Sequence, residues 1–272
     1  MSLPLRHIEE TPSTNTWLLT HCREDDYPNL FTIYTFRQTA GRGQTGKSWE
    51  SEDGKNLSFS TLFHIRTVEQ ASRLNMLVPL AVWETLSKEN SLRLSLKGGE
   101  DASGGLSIKW PNDIYWGDKK VAGLLNENVI IGNRIAYAVA GIGLNVNQEV
   151  FRSNAPNPVS LKQITGKTYE LVPLIEQIVT QFETLLPLLD DYEALKATYM
   201  SHLYRREGFH LFMEREVSVA PTMIAEAGKT NEEKHAPFLA EIADVDEFGR
   251  LILRTQSGDL KTYHFKEIRF VL

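Results

Sequence analysis

Leu74, Leu77, Val78, Ala81, Val82 and Leu86 repeat at helical spacing between Gln70 and Lys88, with polar residues on the other positions. The spacing predicts an amphipathic helix whose apolar stripe is buried against a sheet. Two further helical stretches, Val172 to Leu186 and Asp190 to Leu203, are separated by Pro187 and are expected to cover one sheet face. Leu30 to Phe36 is rich in strand formers, and Asn56 to Phe63 alternates with Leu57 and Phe59 on one face. Val121 to Ile131 and Arg134 to Val146 are two apolar runs that meet at Gly132-Asn133, a composition that favours a tight hairpin. Ahead of Trp17-Leu18-Leu19, Ser13 or Thr14 can accept from the free amides of a first turn and so cap a short helix.

From about Arg205 the pattern changes to short strands, at Glu214 to Val219, Phe238 to Ala243, Leu251 to Thr255 and Lys261 to Phe265. Turns are expected at Glu247-Phe248-Gly249 and Ser257-Gly258-Asp259, and a loop over Ala225 to Ala236. An α+β chain is predicted, with one large unit over residues 1–204 and a small all-β unit over 205–272.

Composition narrows the function classes. The 272 residues are 42% hydrophobic and 24% charged, enough for a sizeable core. No apolar run approaches the roughly 20 residues of a membrane helix, and Met1 to Glu10 lacks the basic start and apolar centre of a signal peptide. A cytoplasmic protein without membrane contact is expected. The single cysteine, Cys22, excludes an internal disulfide, and the 7 histidines are not paired as a zinc site requires, so no protein-bound metal is expected. A net charge of −6 argues against broad nucleic-acid binding while leaving room for a local basic pocket.

The densest chemistry lies in Ser107 to Leu125. Lys109 ends one apolar run, Pro111 stops it from continuing in a sheet, and Asn112, Asp113, Gly117 and Asp118 supply turn chemistry before Lys119 and Lys120. The reading is of two strands meeting at one polar bend, with lysines converging on Asp113 from both sides. Taken alone, the pattern also fits a hairpin with solvated charges. A second concentration follows the Leu30 to Phe36 strand: Gln38, then Gly41-Arg42-Gly43-Gln44-Thr45-Gly46-Lys47-Ser48-Trp49. Its glycines let the backbone approach a ligand, and Arg42 and Lys47 are cations suited to phosphate, although the spacing is not that of a Walker loop. The glycines of Lys97 to Gly105 flank acidic residues instead and read as a mobile connection.

Lys-Trp-Pro-Asn-Asp at 109–113 followed by Lys-Lys-Val-Ala-Gly at 119–123 resembles the central signature of the biotin protein ligases. Two more segments match that family in the same order, the Gly-Arg-Gly loop at 41–43 and Gly141-Ile142-Gly143-Leu144-Asn145. The resemblance covers most of Ser13 to Asn147. It implies a mixed-sheet catalytic domain of the biotin/lipoate ligase type with a C-terminal SH3-like β-barrel. It further implies that Ser13, Thr14, Asn15, Gln38, Arg42, Gly43, Gln44, Lys120, Gly123, Gly141 and Gly143 face biotin. By the same resemblance Arg42, Lys47, Trp49, Lys109, Asn112, Lys120 and Asn145 face ATP, with Trp49 near the adenine. Many members of the family carry arginine where this chain has Gln44.

The implied activity is ATP-dependent formation of biotinyl-AMP, with Mg2+ arriving on ATP, followed by transfer of biotin to a lysine of a biotin carboxyl carrier protein domain. Two anions must be brought together, which asks for preorganised cations such as Arg42, Lys109 and Lys120. Asp113 is placed to take or steer the proton of the acceptor amine, although a turn-forming Asp would look the same. A lipoate ligase or octanoyl transferase of the same architecture, and a non-enzymatic biotin sensor, are the alternatives. Some biotin ligases double as repressors through an N-terminal winged helix; with 12 residues ahead of Ser13, DNA binding is not expected here. A homodimer stays open.

Overall fold

The computed structural model describes residues 3–22, 26–44, 47–89, 92, 105–131, 134–215 and 236–271. Strands β1 (Leu5–His7), β2 (Thr32–Thr35), β3 (Leu57–His64), β4 (Leu106–Lys109), β5 (Asp113–Trp116), β6 (Lys119–Ile131) and β7 (Arg134–Leu144) form a seven-stranded sheet in the order β1-β2-β3-β7-β6-β5-β4. β1 runs parallel to β2 and every other neighbouring pair is antiparallel, so the sheet is mixed. The β6–β7 hairpin has the expected inner ends at Ile131 and Arg134, but β6 starts at Lys119, two residues earlier than expected, and β7 ends at Leu144, two residues earlier; its Gly132-Asn133 connection lies outside the described residues.

Helix α2 (Val68–Ser87) begins where Thr67 accepts from the Gln70 amide, and all six residues of its predicted stripe are fully buried. They meet Leu57, Phe59 and Phe63 of β3 in one core cluster. Fully burying side chains of this size is worth about 1.5–3 kcal/mol each, which anchors the helix to that face. β3 is buried from Leu57 to Phe63, because its second face is covered too: Leu62 packs with Leu18 of α1 (Thr14–His21). After α3 (Leu161–Thr165) come α4 (Leu171–Leu185), a 3-10 turn at Leu186–Leu189 that contains Pro187, and α5 (Tyr192–Ser201). Phe182 of α4 meets Phe63 edge-on at 5.3 Å, which places the later helices against α2.

Two readings need correction. The stretch from Ser107 to Leu125 has two turns, not one. Trp110, Pro111 and Asn112 make the first, with a cis peptide bond before Pro111, and Gly117-Asp118 the second, where Gly117 takes a φ of +56°. The short strand β5 lies between them. The strand expected at Glu214 to Val219 instead runs His210–Glu214 (β8), and 216–219 lie outside the described residues. β8 joins β9 (Phe238–Val245), β10 (Leu251–Thr255), β11 (Leu260–Tyr263) and β12 (Ile268–Phe270) in a five-stranded antiparallel sheet ordered β11-β10-β9-β8-β12. The fold is α+β. The expected loops at 97–105 and 225–236 lie outside the described residues except for Gly105 and Ala236, and among those described no helix is long and apolar enough to cross a membrane.

Candidate functional site

Strand register builds the site. Thr35, Ser58, Gly143, Gly123, Asp113 and Lys109 stand directly opposite one another across β2, β3, β7, β6, β5 and β4. A second row runs Ile33, Ser60, Gly141, Leu125. Directly opposed residues share a face, and alternation sends the intervening Phe59, Ile142 and Leu124 to the α2 core. One sheet face therefore carries the polar groups and the glycines.

Those glycines are a floor on which side chains lie. A Cβ on Gly141 would sit 2.2 Å from Asn15 Oδ1, and one on Gly143 2.3 Å from Trp49 Cε2. On Gly123 it would meet Lys120 Nζ at 2.9 Å and Trp49 Cζ3 at 3.1 Å. The Trp49 indole thus spans Gly123 and Gly143, with its benzo edge toward Lys120.

Strict alternation along β6 would point Lys120 into the core with Ala122 and Leu124. A register shift opposite Ile114 and Tyr115 leaves Val121 as the extra residue and pairs Lys120 with Tyr115. Bulges of this kind re-aim a side chain. Lys120 Nζ then lies 2.7 Å from Asp113 Oδ1 and 5.6 Å from the Trp49 ring centroid, while Lys119 is exposed. The Lys120 backbone is clamped by Asn157 and Val159, which exchange hydrogen bonds with it at 2.8 and 2.9 Å. Asn145 is buried and donates to the carbonyls of Lys120 and Val159, at 3.4 and 3.3 Å; buried Asn112 donates to the Leu124 carbonyl. Both asparagines brace the walls of the site.

The other end of the floor is polar. Ser13 caps α1 through the Thr16 amide, and Gln38 Oε1 accepts from the Thr14 amide at 3.0 Å and its hydroxyl at 3.4 Å. Ser60 donates to Thr14 and Asn15, and the Asn15 amide donates to the Leu125 carbonyl at 3.1 Å and Glu127 Oε2 at 2.8 Å. Glu127 also pairs with Arg42 at 3.3 Å. The glycine-rich loop turns back on itself, with Arg42 bridged to Ser48 and the Gly43 amide donating to the Lys47 carbonyl. Gln44 stands at that turn beside the exposed Lys47; Thr45 and Gly46 lie outside the described residues.

Lys109 shares the row with Asp113 but its ammonium turns away. It donates to Tyr115 Oη at 3.0 Å and lies 5.3 Å from the Phe270 ring centroid. Burial lowers its pKa to about 8, against the pull of Asp113 in the other direction. The structure thus brings Lys120, Asp113, Trp49 and the three glycines together and sets Lys109 to one side in an aromatic cage. Ser58, Ser60 and Glu127 were missed by sequence reasoning. The serines interrupt an apolar strand on the face opposite Leu57 and Phe59, which was a readable signal; a single acid in β6 carried none.

A family model described as biotin/lipoate A/B protein ligase matches residues 7–145, just over half of the chain. The bifunctional ligase/repressor BirA of Bacillus spizizenii is 26% identical over 244 residues, spanning 87% of this chain and 65% of its own length. The biotin--[acetyl-CoA-carboxylase] ligase of Paracoccus denitrificans is 27% identical over 229 residues, 81% of this chain and 82% of the relative. Among solved structures, the biotin protein ligase of Aquifex aeolicus in complex with biotin and ATP superposes with a TM-score of 0.68 at 22% identity, covering 98% of this chain and 99% of that one. With the fold and the matched segment in agreement, the chain belongs to the biotin/lipoate A/B protein ligase family.

Proposed function

We propose that the protein is an ATP-dependent biotin ligase that forms biotinyl-AMP and passes biotin to a lysine of a biotin carboxyl carrier domain. The observation that carries this reading is the gradient along one sheet face. Hydrogen-bonding groups at Thr14 and Gln38 stand at one end, a flat glycine floor lies in the middle, and the Lys120–Asp113 pair with Trp49 closes the other. That order suits a ureido ring, an apolar chain and a carboxylate.

In this reading the biotin carboxylate attacks the α-phosphorus of ATP, pyrophosphate leaves, and a mixed anhydride with AMP forms. Lys120 and Arg42 neutralise the charge that gathers on the phosphate, and magnesium enters with ATP as part of the substrate. The neutral acceptor amine then attacks the acyl carbon, AMP departs, and Asp113 takes the amine proton. Gly43, Gln44 and Lys47 close over the intermediate, which water would otherwise hydrolyse. Ser13, Asn15, Asn112 and Asn145 act through the walls they hold, and Lys109 through its contact with Phe270. In the same reading residues 1–204 form the catalytic unit and 205–272 the C-terminal unit.

The polar end favours biotin over lipoate or an alkyl acid, because a dithiolane or alkyl chain would leave Gln38 and Thr14 without a ligand partner. The test is to present biotin, lipoate and octanoate separately with ATP and an apo carrier domain, and to weigh the carrier by mass spectrometry. Biotin alone should add to the acceptor lysine; equal addition of all three acids would refute the assignment.

A further inference from the structure

Glu127 is an acid set into an apolar part of the sheet. It stands directly opposite Val139, which packs with Leu62 and Leu18 beneath α1. One of its oxygens serves two donors: Glu127 Oε2 accepts from the Asn15 amide at 2.8 Å and from the Arg42 guanidinium at 3.3 Å. Asn15 does not depend on that bond for its place. It is buried, accepts from Ser60, donates to the Leu125 carbonyl and rests on Gly141. Arg42 is exposed, and among the described residues Glu127 is the group that its guanidinium bonds.

That bond keeps Arg42 away from the lysine end of the floor. Lys120 Nζ lies over Gly123. Glu127 is four residues farther along β6, about 13 Å at the rise of a strand. The Arg42 main chain is bridged to Ser48, whose neighbour Trp49 covers Gly123 and Gly143. The anchor of the side chain is therefore beside the middle of the floor, and its charged tip is at one end.

We propose that Glu127 is a positioning residue for Arg42: it holds the guanidinium at the polar end in the free protein and yields it to the phosphate during adenylation. The inference rests on the biotin-ligase reading, in which Arg42 and Lys120 meet on one phosphate. Arg42 then exchanges one anion for another. What it adds to the transition state is its grip on the phosphate less its grip on Glu127. An ion pair open to water is worth a factor of roughly two to five. The acid restrains the step by that factor, and the arginine keeps the acid paired beside the α1 core.

The test is a double-mutant cycle on formation of biotinyl-AMP. Glu127→Gln keeps an oxygen for the Asn15 amide and abolishes the ion pair. At saturating biotin, the second-order rate constant for ATP should rise roughly two- to fivefold in this variant. In an Arg42→Ala background, adding Glu127→Gln should change nothing, whereas a merely structural role would move the rate without regard to Arg42. Glu127→Asp keeps the charge and draws it back by one methylene. It should also exceed wild type only when Arg42 is present, and it carries the test if Glu127→Gln does not fold. A slower or unchanged rate in the folded variants, or the same gain with and without Arg42, overturns the inference and leaves the ligase reading standing. Wild-type protein that forms no biotinyl-AMP from biotin and ATP overturns both.

Discussion

Lys120 and Lys119 are adjacent in sequence and opposite in circumstance. The bulge at Val121 turns one onto Asp113 and leaves the other in solvent. Lys120→Ala should slow adenylation by about two decades, the roughly 3 kcal/mol that such an electrostatic contact supplies in a transition state, whereas Lys119→Ala should stay within a factor of about two. Single-turnover formation of the adenylate measures both, and equal effects would show that the bulge does not choose between them. Lys109 allows a test by pH. Its pKa near 8 in the folded protein lies below the 10.5 of a free lysine. Between those values the unfolded chain holds a proton that the folded one lacks, so the contribution to stability rises with pH across that window and is flat below it. Wild type should therefore gain on Lys109→Met as pH increases from about 8 toward 10.5. Denaturant midpoints of both proteins at several pH values would show it; parallel curves would contradict it.

At the scale of elements, the site depends on α1 lying close to β7. Asn15 of α1 rests against Gly141 and is held by Ser60, Leu125 and Glu127. A methyl at Gly141 has nowhere to go except into that buried amide, so Gly141→Ala should cost about 1–3 kcal/mol of stability and weaken biotin binding at the same time. Urea unfolding and calorimetric titration would read the two effects, and a stable variant with intact affinity would mean that α1 can shift without consequence. The elements also show which features sequence reasoning reached. α2 and the β6–β7 hairpin were legible because long periodic runs average over local ambiguity. β1 and β12 were missed because three residues each, Leu5–His7 and Ile268–Phe270, hold too few alternations to stand out from loop. The Ser107 to Leu125 stretch was read as one bend because the four-residue β5 is shorter than the turns beside it suggested.

For the whole molecule, the residue types of the site were visible in sequence and their arrangement was not. Ser58, Gly143, Gly123 and Asp113 form a row only through the register of four strands, and Lys120 reaches Asp113 only through one bulge, both of them long-range properties. Nor did sequence place Lys109 against Phe270, a contact that joins the large sheet to β12 and stands beside the Trp110 indole bond to the Gly249 carbonyl at 3.0 Å. The central claim is that this face activates biotin with ATP. Biotin-dependent exchange of labelled pyrophosphate into ATP tests it most directly, because it reports the adenylation step without any acceptor protein. The account predicts exchange that requires biotin, is not supported by lipoate, and falls by about two decades in folded Lys120→Ala. Wild-type protein that is folded yet exchanges no pyrophosphate with saturating biotin and ATP, or that exchanges equally without biotin, would contradict it.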